Sequence, residues 1–336
     1  MGTREELCAK WGQAATSPPA SAEWRAVFMS IVAPVRIAAA VREPDERLAL
    51  LFEALLQDAS PRIVRLHTDG ISVTDQRRHE EGLFRLAITL EHDALREVFE
   101  VLAEDLVEVA CGPVSAQSAI AAVTRRLEAW QACLRTRRQR LSREQQIGLL
   151  GELAVCRMAM EEIGHLPAVL AWQGPFDGVH DFSRSGIAIE VKTIIGVGSR
   201  IRISGLDQLS TGGINLTLAR LRFRETPDGP TLADEVAALR SLLDREAPHV
   251  RPEFDERLLR AGYLDVRRDD DEVVRAVLQD VRGYEVRDGF PRLTPDMVPQ
   301  GITEASYALD EQMLGPFLMD GNALRQFLGR MKGTPA

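Results

Sequence analysis

Lysine is almost absent from this chain. Of 41 basic residues among 336, three are lysine (Lys10, Lys192 and Lys332) and 38 are arginine. Arginine therefore serves wherever a plain positive charge suffices, and a lysine in mid-chain draws attention, because its ammonium is a compact charge where guanidinium is broad and planar. Cysteine is also sparse: Cys8, Cys111, Cys133 and Cys156 are scattered and form no CxxC pair. That excludes a zinc knuckle or a thioredoxin-type site and predicts free, mostly buried thiols. No run of about 18 apolar residues occurs, so no membrane span is expected; the most apolar stretch, Ile31 to Val41, is broken by Pro34 and Arg36. The first residues, MGTREELCAK, carry acids where a signal peptide needs a basic start and an apolar centre, which predicts a cytoplasmic protein. The six histidines show no metal-ligand spacing. There is no HExxH and no GxSxG, and Gly196-Val197-Gly198 lacks the following glycine, lysine and helix of a phosphate cradle. With neither a motor nor a methyltransferase motif, any such activity must come from another protein.

The remaining composition is that of a globular protein: 45% apolar, 27% charged, net charge -9. A chain of this length can bury a sizeable core without disulfides or structural metal. The charge is uneven. Between Arg135 and Arg224 there are 13 basic residues and eight acids, so this segment is positive while the rest is strongly negative. The run Leu134 to Arg140, with four arginines, reads as a solvated helix end whose charge would also suit a phosphate backbone.

Three regions follow from patterning: an N-terminal α+β region over 1–140, a mixed α/β core over 141–225, and a mostly helical region over 226–336. The first 30 residues have no clear pattern. From about 36 to 92 short apolar runs (VRIAAAV, LALLFEAL, RIVRLHT, GISVTDQ, LFRLAITLE) predict strands, and 93–110 and 115–140 predict two helices. In the core, Ser142-Arg143-Glu144-Gln145 fits a capping box opening a helix to about Ile163, with Ile147, Leu150, Ala154 and Met158 on one buried face. The loop AWQGPFDGVHDF leads into a hairpin turning at Ser183 to Gly186, whose second strand runs from Ile187 to Ile194. A strand at 200–204, a short helix near 206–209 and a strand at 215–224 follow. In the third region the pattern predicts helices at 230–245, 252–261, 271–282 and 313–331, with a strand or two near 284–293.

The hairpin carries the candidate chemistry. Alternation along a strand puts Ile187, Ile189, Val191 and Thr193 on one face and Ala188, Glu190, Lys192 and Ile194 on the other. Both faces are largely apolar, so Glu190 and Lys192 are predicted to be partly buried neighbours, which costs several kcal/mol unless they are paired or engaged. Asp181 lies across the hairpin. Acids converging from adjacent strands can hold a hard cation such as Mg²⁺. The lysine could then orient or deprotonate a water, or offset charge in a transition state.

Asp181, followed after eight residues by Glu190-Val191-Lys192, resembles the PD-(D/E)XK phosphodiesterases. The wording GLLGEL at 148–153, AWQGP at 171–175, HDF at 180–182 and EVKT at 190–193 is similar to a PD-(D/E)XK family found in bacterial genomes near restriction-modification and phage-defence genes. His180 stands where the superfamily's name has proline. The resemblance covers about residues 142–224 closely. It implies a restriction-endonuclease-like mixed-sheet core and a Mg²⁺-dependent DNA endonuclease, with Mn²⁺ able to substitute. Asp181 and Glu190 would be metal ligands, with the Val191 carbonyl as a third. Lys192 would be the catalytic lysine, and Glu152 would orient a metal-bound water or complete a second metal site. Gln208 falls where some members have a polar residue after the core sheet. Arg200 and Arg202, sharing a strand face, are candidates for phosphate contact, while His180 and Trp172 read as structural neighbours. The implied partners are DNA, ATPase or methyltransferase proteins and a second copy of the chain, with no membrane. A non-catalytic DNA-binding or assembly subunit that keeps the fold is the alternative, and an RNA-directed nuclease is a third reading.

Overall fold

The computed structural model describes residues 2–18, 23–55, 67–68, 70–78, 82–136, 141–176, 178–265, 273–320 and 322–332. The chain is mixed α/β and divides into two units, Met1–Gln139 with Leu264–Val266, and Arg140–Tyr263 with Arg267–Ala336. Among the described residues no helix is long and apolar enough to cross a membrane.

The first unit contains α1 (Thr3–Thr16), β1 (Trp24–Phe28), β2 (Arg36–Arg42), β3 (Arg47–Leu55), β4 (His67–Thr68), β5 (Ile71–Arg78), β6 (Leu83–Leu90), α2 (Arg96–Cys111) and α3 (Ala116–Thr136). The strands form one antiparallel sheet in the order β1-β2-β3-β6-β5-β4. The opening residues, which lack a readable pattern, are thus a helix and an edge strand. Trp11 explains how the helix is fixed: it is buried, its Nε1 donates to the Ala49 carbonyl at 2.8 Å, and its ring packs 5.5 Å from that of Phe99. The basic run ends outside the described residues, as does most of the RIVRLHT strand.

The second unit contains α4 (Arg143–Ile163), α5 (His165–Ala171), β7 (Phe182–Arg184), β8 (Ile187–Ile195), β9 (Arg200–Ile203), β10 (Asn215–Glu225), α6 (Leu232–Glu246), α7 (Arg251–Arg260), β11 (Ala276–Val286), β12 (Tyr307–Asp310) and α8 (Ala323–Arg330). A four-stranded sheet runs β11-β10-β8-β7, with β8 and β10 parallel and the outer pairs antiparallel. On one face Ile187, Ile189, Val191, Ala219, Leu221 and Phe223 pack against the helices in a single apolar cluster. On the other, Ala188, Leu216, Leu218 and Tyr284 pack against Ile201, Ile203 and Leu309 of the β9–β12 ribbon. The alternation read from β8 is therefore the alternation the sheet shows.

The cap of α4 forms as expected: the Gln145 amide donates to Ser142 Oγ at 3.3 Å, and the Ser142 amide donates to Gln145 Oε1 at 3.0 Å. Its buried stripe is broader than expected. Leu149, Leu153, Cys156, Met160 and Ile163 are buried along with Leu150, while Ile147, Ala154 and Met158 are only partly covered. A helix with packing partners on several sides needs more than one apolar face.

The pattern departs from expectation in three places, two of them in the C-terminal region. Residues 271–282 were expected to be helical, but Ala276–Val286 is a strand along β10. Val277, Leu278, Val281, Tyr284 and Val286 suit a strand that completes a sheet, and this non-local pairing overrides apolar spacing also compatible with a helix. Residues 313–331 split into a 3-10 segment, Glu311–Phe317, and α8, because Pro316 interrupts continuous helical hydrogen bonding. The stretch near 206–209 is a turn without a helix. Cys133 and Cys156 are buried, Cys111 is half-buried and Cys8 is exposed; none of the four is in a disulfide.

Candidate active site

The hairpin β7–β8 places Asp181 beside Glu190. Phe182 pairs with Ile189, so Asp181 falls just beyond the last paired residue of the short strand. There its Oδ2 accepts the Val191 amide at 2.7 Å. A side chain thus satisfies a backbone donor that the short strand leaves unpaired, and the carboxylate is held against β8.

Glu190 is buried, with 1% of its surface exposed, and Lys192 Nζ lies 2.7 Å from its Oε1. Glu152 comes from α4. Its Oε2 accepts the Trp172 Nε1–H at 2.7 Å. Trp172 is itself buried, packed 6.1 Å from the Phe254 ring, and its carbonyl accepts Arg257 Nε at 3.1 Å. The tryptophan read from sequence as a structural anchor is an anchor that also holds a site carboxylate. Only its position between α5 and the following loop brings it to α4, so no local signal marks it.

Two glycines of the similar motifs mark close approaches. A Cβ on Gly174 would stand 3.1 Å from Glu152 Oε2 and 3.2 Å from Asp181 Oδ1, which puts those two oxygens within 6.3 Å of each other. The amides of Gln173 and Gly174 both donate to the Asp181 carbonyl, at 2.7 and 3.0 Å. A Cβ on Gly151 would stand 1.9 Å from Thr193 Oγ1, so the bare backbone of α4 presses on the strand that carries Glu190 and Lys192. GLLGEL, AWQGP and EVKT are thus parts of one contact.

The electrostatics follow from three acids around one ammonium. Burial, then the charge of Asp181, pushes both Glu152 and Glu190 up to about 8. Burial also raises Asp181, against the opposing pull of the Val191 amide and of Lys192. Each carboxylate has one oxygen engaged, by Trp172, Val191 or Lys192, and a second that accepts no hydrogen bond from the described residues.

The other sequence candidates lie elsewhere. Gln208 Oε1 accepts the Ser204 amide at 2.9 Å and closes its own loop. Arg200 and Arg202 are exposed on β9. His180 is buried, with Nε2 unpartnered among the described residues.

A protein-family model described as "Putative PD-(D/E)XK family member, (DUF4420)" matches residues 9–311. The chain belongs to this family. No curated protein and no solved structure matches it.

A PD-(D/E)XK site implies a divalent metal ion, and the donor set here fits one. The oxygens that accept no hydrogen bond from the described residues are hard donors, and three buried acids face a single Lys192, so that a small dication would stabilise their ionised forms. Among the described residues no three His, Cys, Asp or Glu side chains form a cage around one point. Mg²⁺ needs none: it is commonly held by one or two carboxylates and keeps several waters. Asp181 and Glu190, with the Val191 carbonyl, would hold it.

The raised acids predict how metal-free protein responds to pH. Between the unfolded carboxylate value near 4.5 and about 8, folded Glu152 and Glu190 hold protons that the unfolded chain has released. Their stabilisation is fully present below that window and is lost as pH rises through 8. His180, lowered by burial, works in the opposite sense below its ordinary value of 6.5. Thermal unfolding in EDTA should therefore show a falling midpoint from pH 6.5 to 9. MgCl2 or MnCl2, which favours the deprotonated acids, should raise the midpoint more at pH 9 than at 6.5. A midpoint indifferent to both would contradict the clustering of these acids.

Proposed function

We propose that the chain is a Mg²⁺-dependent DNA endonuclease, with Mn²⁺ able to substitute, acting in the cytoplasm in a bacterial restriction or phage-defence system. The observation that carries this reading is the gathering of Asp181, Glu190 and Glu152, each with a free oxygen, around Lys192. ATPase or methyltransferase partners would supply the activities for which the chain has no motif, and a homodimer belongs to the same reading.

Hydrolysis of a phosphodiester requires a water to lose a proton while negative charge builds on the phosphoryl and leaving oxygens. A cation held by Asp181, Glu190 and the Val191 carbonyl would polarise the phosphoryl oxygen and stabilise the leaving one. Lys192 presents its ammonium 2.7 Å from Glu190 Oε1, where it offsets developing charge and orients the attacking water. Glu152, fixed by the Trp172 indole and pushed up to about 8, is matched to taking a proton near neutral pH.

Supercoiled plasmid, linear duplex DNA, single-stranded DNA and single-stranded RNA, incubated with MgCl2, MnCl2 or EDTA, test the proposal. Cleavage should need a metal and should be lost in Lys192→Ala. Cleavage undiminished in EDTA would overturn it. DNA binding without cleavage under any metal or partner condition would favour the non-catalytic subunit. Preferential cleavage of RNA would reassign the substrate.

A second expectation concerns Trp172→Phe, which keeps a ring against Phe254 and removes one N–H. That hydrogen bond lowers the pKa of Glu152, so its loss raises the group further. The pH–rate profile of the variant should move toward alkaline pH. An unmoved profile would take Glu152 out of proton transfer.

A further inference from the structure

Most arginines of the second unit are engaged by acids, among them Arg157, Arg220, Arg222, Arg240, Arg251, Arg257 and Arg282. Arg200 and Arg202 are different. Both are exposed on β9, and neither makes a hydrogen bond, ion pair or ring contact among the described residues. The alternate residues Ile201 and Ile203 are fully buried, so the strand is fixed on its apolar side and displays the two guanidiniums on the other. Two residues along a strand span about 6.6 Å. The acid nearest in the ladder is Asp310, which pairs with Arg200 in register; its Oδ1 accepts the Gln312 amide instead.

The strand is also anchored. The loop that joins it to β8 contains Gly196 and Gly198, and both carbonyls accept Arg222 Nη1, at 2.6 and 3.0 Å. Arg222 Nη2 donates to Glu311 Oε2 at 3.0 Å, and the Glu311 amide donates to the Ser199 carbonyl at 2.8 Å. A two-glycine loop is thereby stapled at its base, which lowers the entropy lost when its neighbours bind a ligand. The ribbon packs on the sheet face that carries Glu190 and Lys192: Ala188, on that face of β8, shares one apolar cluster with Ile201, Ile203 and Tyr307.

We infer that Arg200 and Arg202 form a phosphate-contacting ridge that seats duplex DNA beside the acid site. The inference rests on the proposed nuclease reading and adds the surface that holds the substrate. Unpaired, exposed guanidiniums at fixed spacing on a rigid strand match a polyanion that presents charge at regular intervals, and each phosphate they neutralise releases counterions.

The test is fluorescence anisotropy of a labelled 30-base-pair duplex in EDTA, where binding is measured without cleavage, across about 50–200 mM NaCl. Arg200→Gln with Arg202→Gln should lower the slope of log affinity against log salt by about 2 and reduce affinity on the order of 10-fold at low salt. A control, Arg245→Gln with Arg287→Gln, removes two exposed arginines already paired to Glu246 and Glu285, and should leave the slope unchanged. Circular dichroism should show the Arg200/Arg202 double folded, since neither side chain makes a hydrogen bond, ion pair or ring contact among the described residues, and checks the fold of the control, in which Arg287 also donates to the Pro316 carbonyl. Tight wild-type binding with the same slope in the Arg200/Arg202 double would overturn the ridge and leave the nuclease reading standing. Wild type that fails to bind the duplex at any salt would overturn the DNA reading itself.

Discussion

Lys192→Arg should abolish most cleavage while DNA affinity in EDTA stays nearly unchanged. The chain uses arginine at 38 of its 41 basic positions, so charge alone gives no reason for a lysine here. The geometry does. Nζ sits 2.7 Å from Glu190 Oε1 on a side chain only 17% exposed, with Arg220 as its neighbour in the parallel register. A guanidinium is wider, and its charge would centre elsewhere among the three acids. A misplacement of about 1 Å can cost on the order of 100-fold in rate. Asp181→Asn should be equally severe for a different reason. Its amide oxygen can still accept the Val191 N–H, so the hairpin keeps its geometry, but the anionic ligand is gone. Removal of a negative charge beside the phosphate would also tighten DNA binding. Single-turnover cleavage and anisotropy on the same preparations separate the two quantities. Near-wild-type cleavage by Lys192→Arg would deny the lysine its positioning role and leave it a plain counter-charge.

How much of this site was legible depended on how local its causes are. Asp181, Glu190 and Lys192 could be placed from sequence because a hairpin and the period-2 alternation of one strand fix them. Glu152 could be named only through the family resemblance, and the buried stripe of its helix was drawn too narrowly, since α4 buries residues on several sides. Trp172 stayed hidden because its indole reaches Glu152 across 20 residues of chain, through packing no spacing rule encodes. The same reason applies to β11, where strand residues with helix-compatible spacing are settled by a partner strand some 60 residues earlier. Gly151 and Gly174 were part of the wording that carried the family resemblance. Their meaning, a backbone pressed on Thr193 and a gap beside two carboxylates, needed the fold.

Glu311→Ala should be among the most destabilising single substitutions in the second unit. Arg220 is fully buried, and its guanidinium is held by Glu311 and, at 3.0 Å, by Asp280. Tyr284 Oη donates to the same Glu311 oxygen at 2.7 Å, and Arg222 takes the other at 3.0 Å. Removal of the carboxylate strands a buried guanidinium with one half-exposed acid and takes from the Tyr284 hydroxyl the acceptor of its proton. Breaking a buried pair in this way costs about 3–5 kcal/mol. Because the chain has two units, a single melting midpoint would mix their contributions. Hydrogen exchange of peptides covering 215–225 reports this sheet directly, and opening there should become roughly 100- to 4000-fold more frequent, the tenfold per 1.4 kcal/mol that such a loss implies. The conservative Glu311→Gln should recover part of the protection, since its amide oxygen can still accept from Arg220. Exchange as slow in Glu311→Ala as in the wild type would mean that Asp280 alone satisfies Arg220, and that the staple from Glu311 to Arg222 and the glycine loop carries no stability.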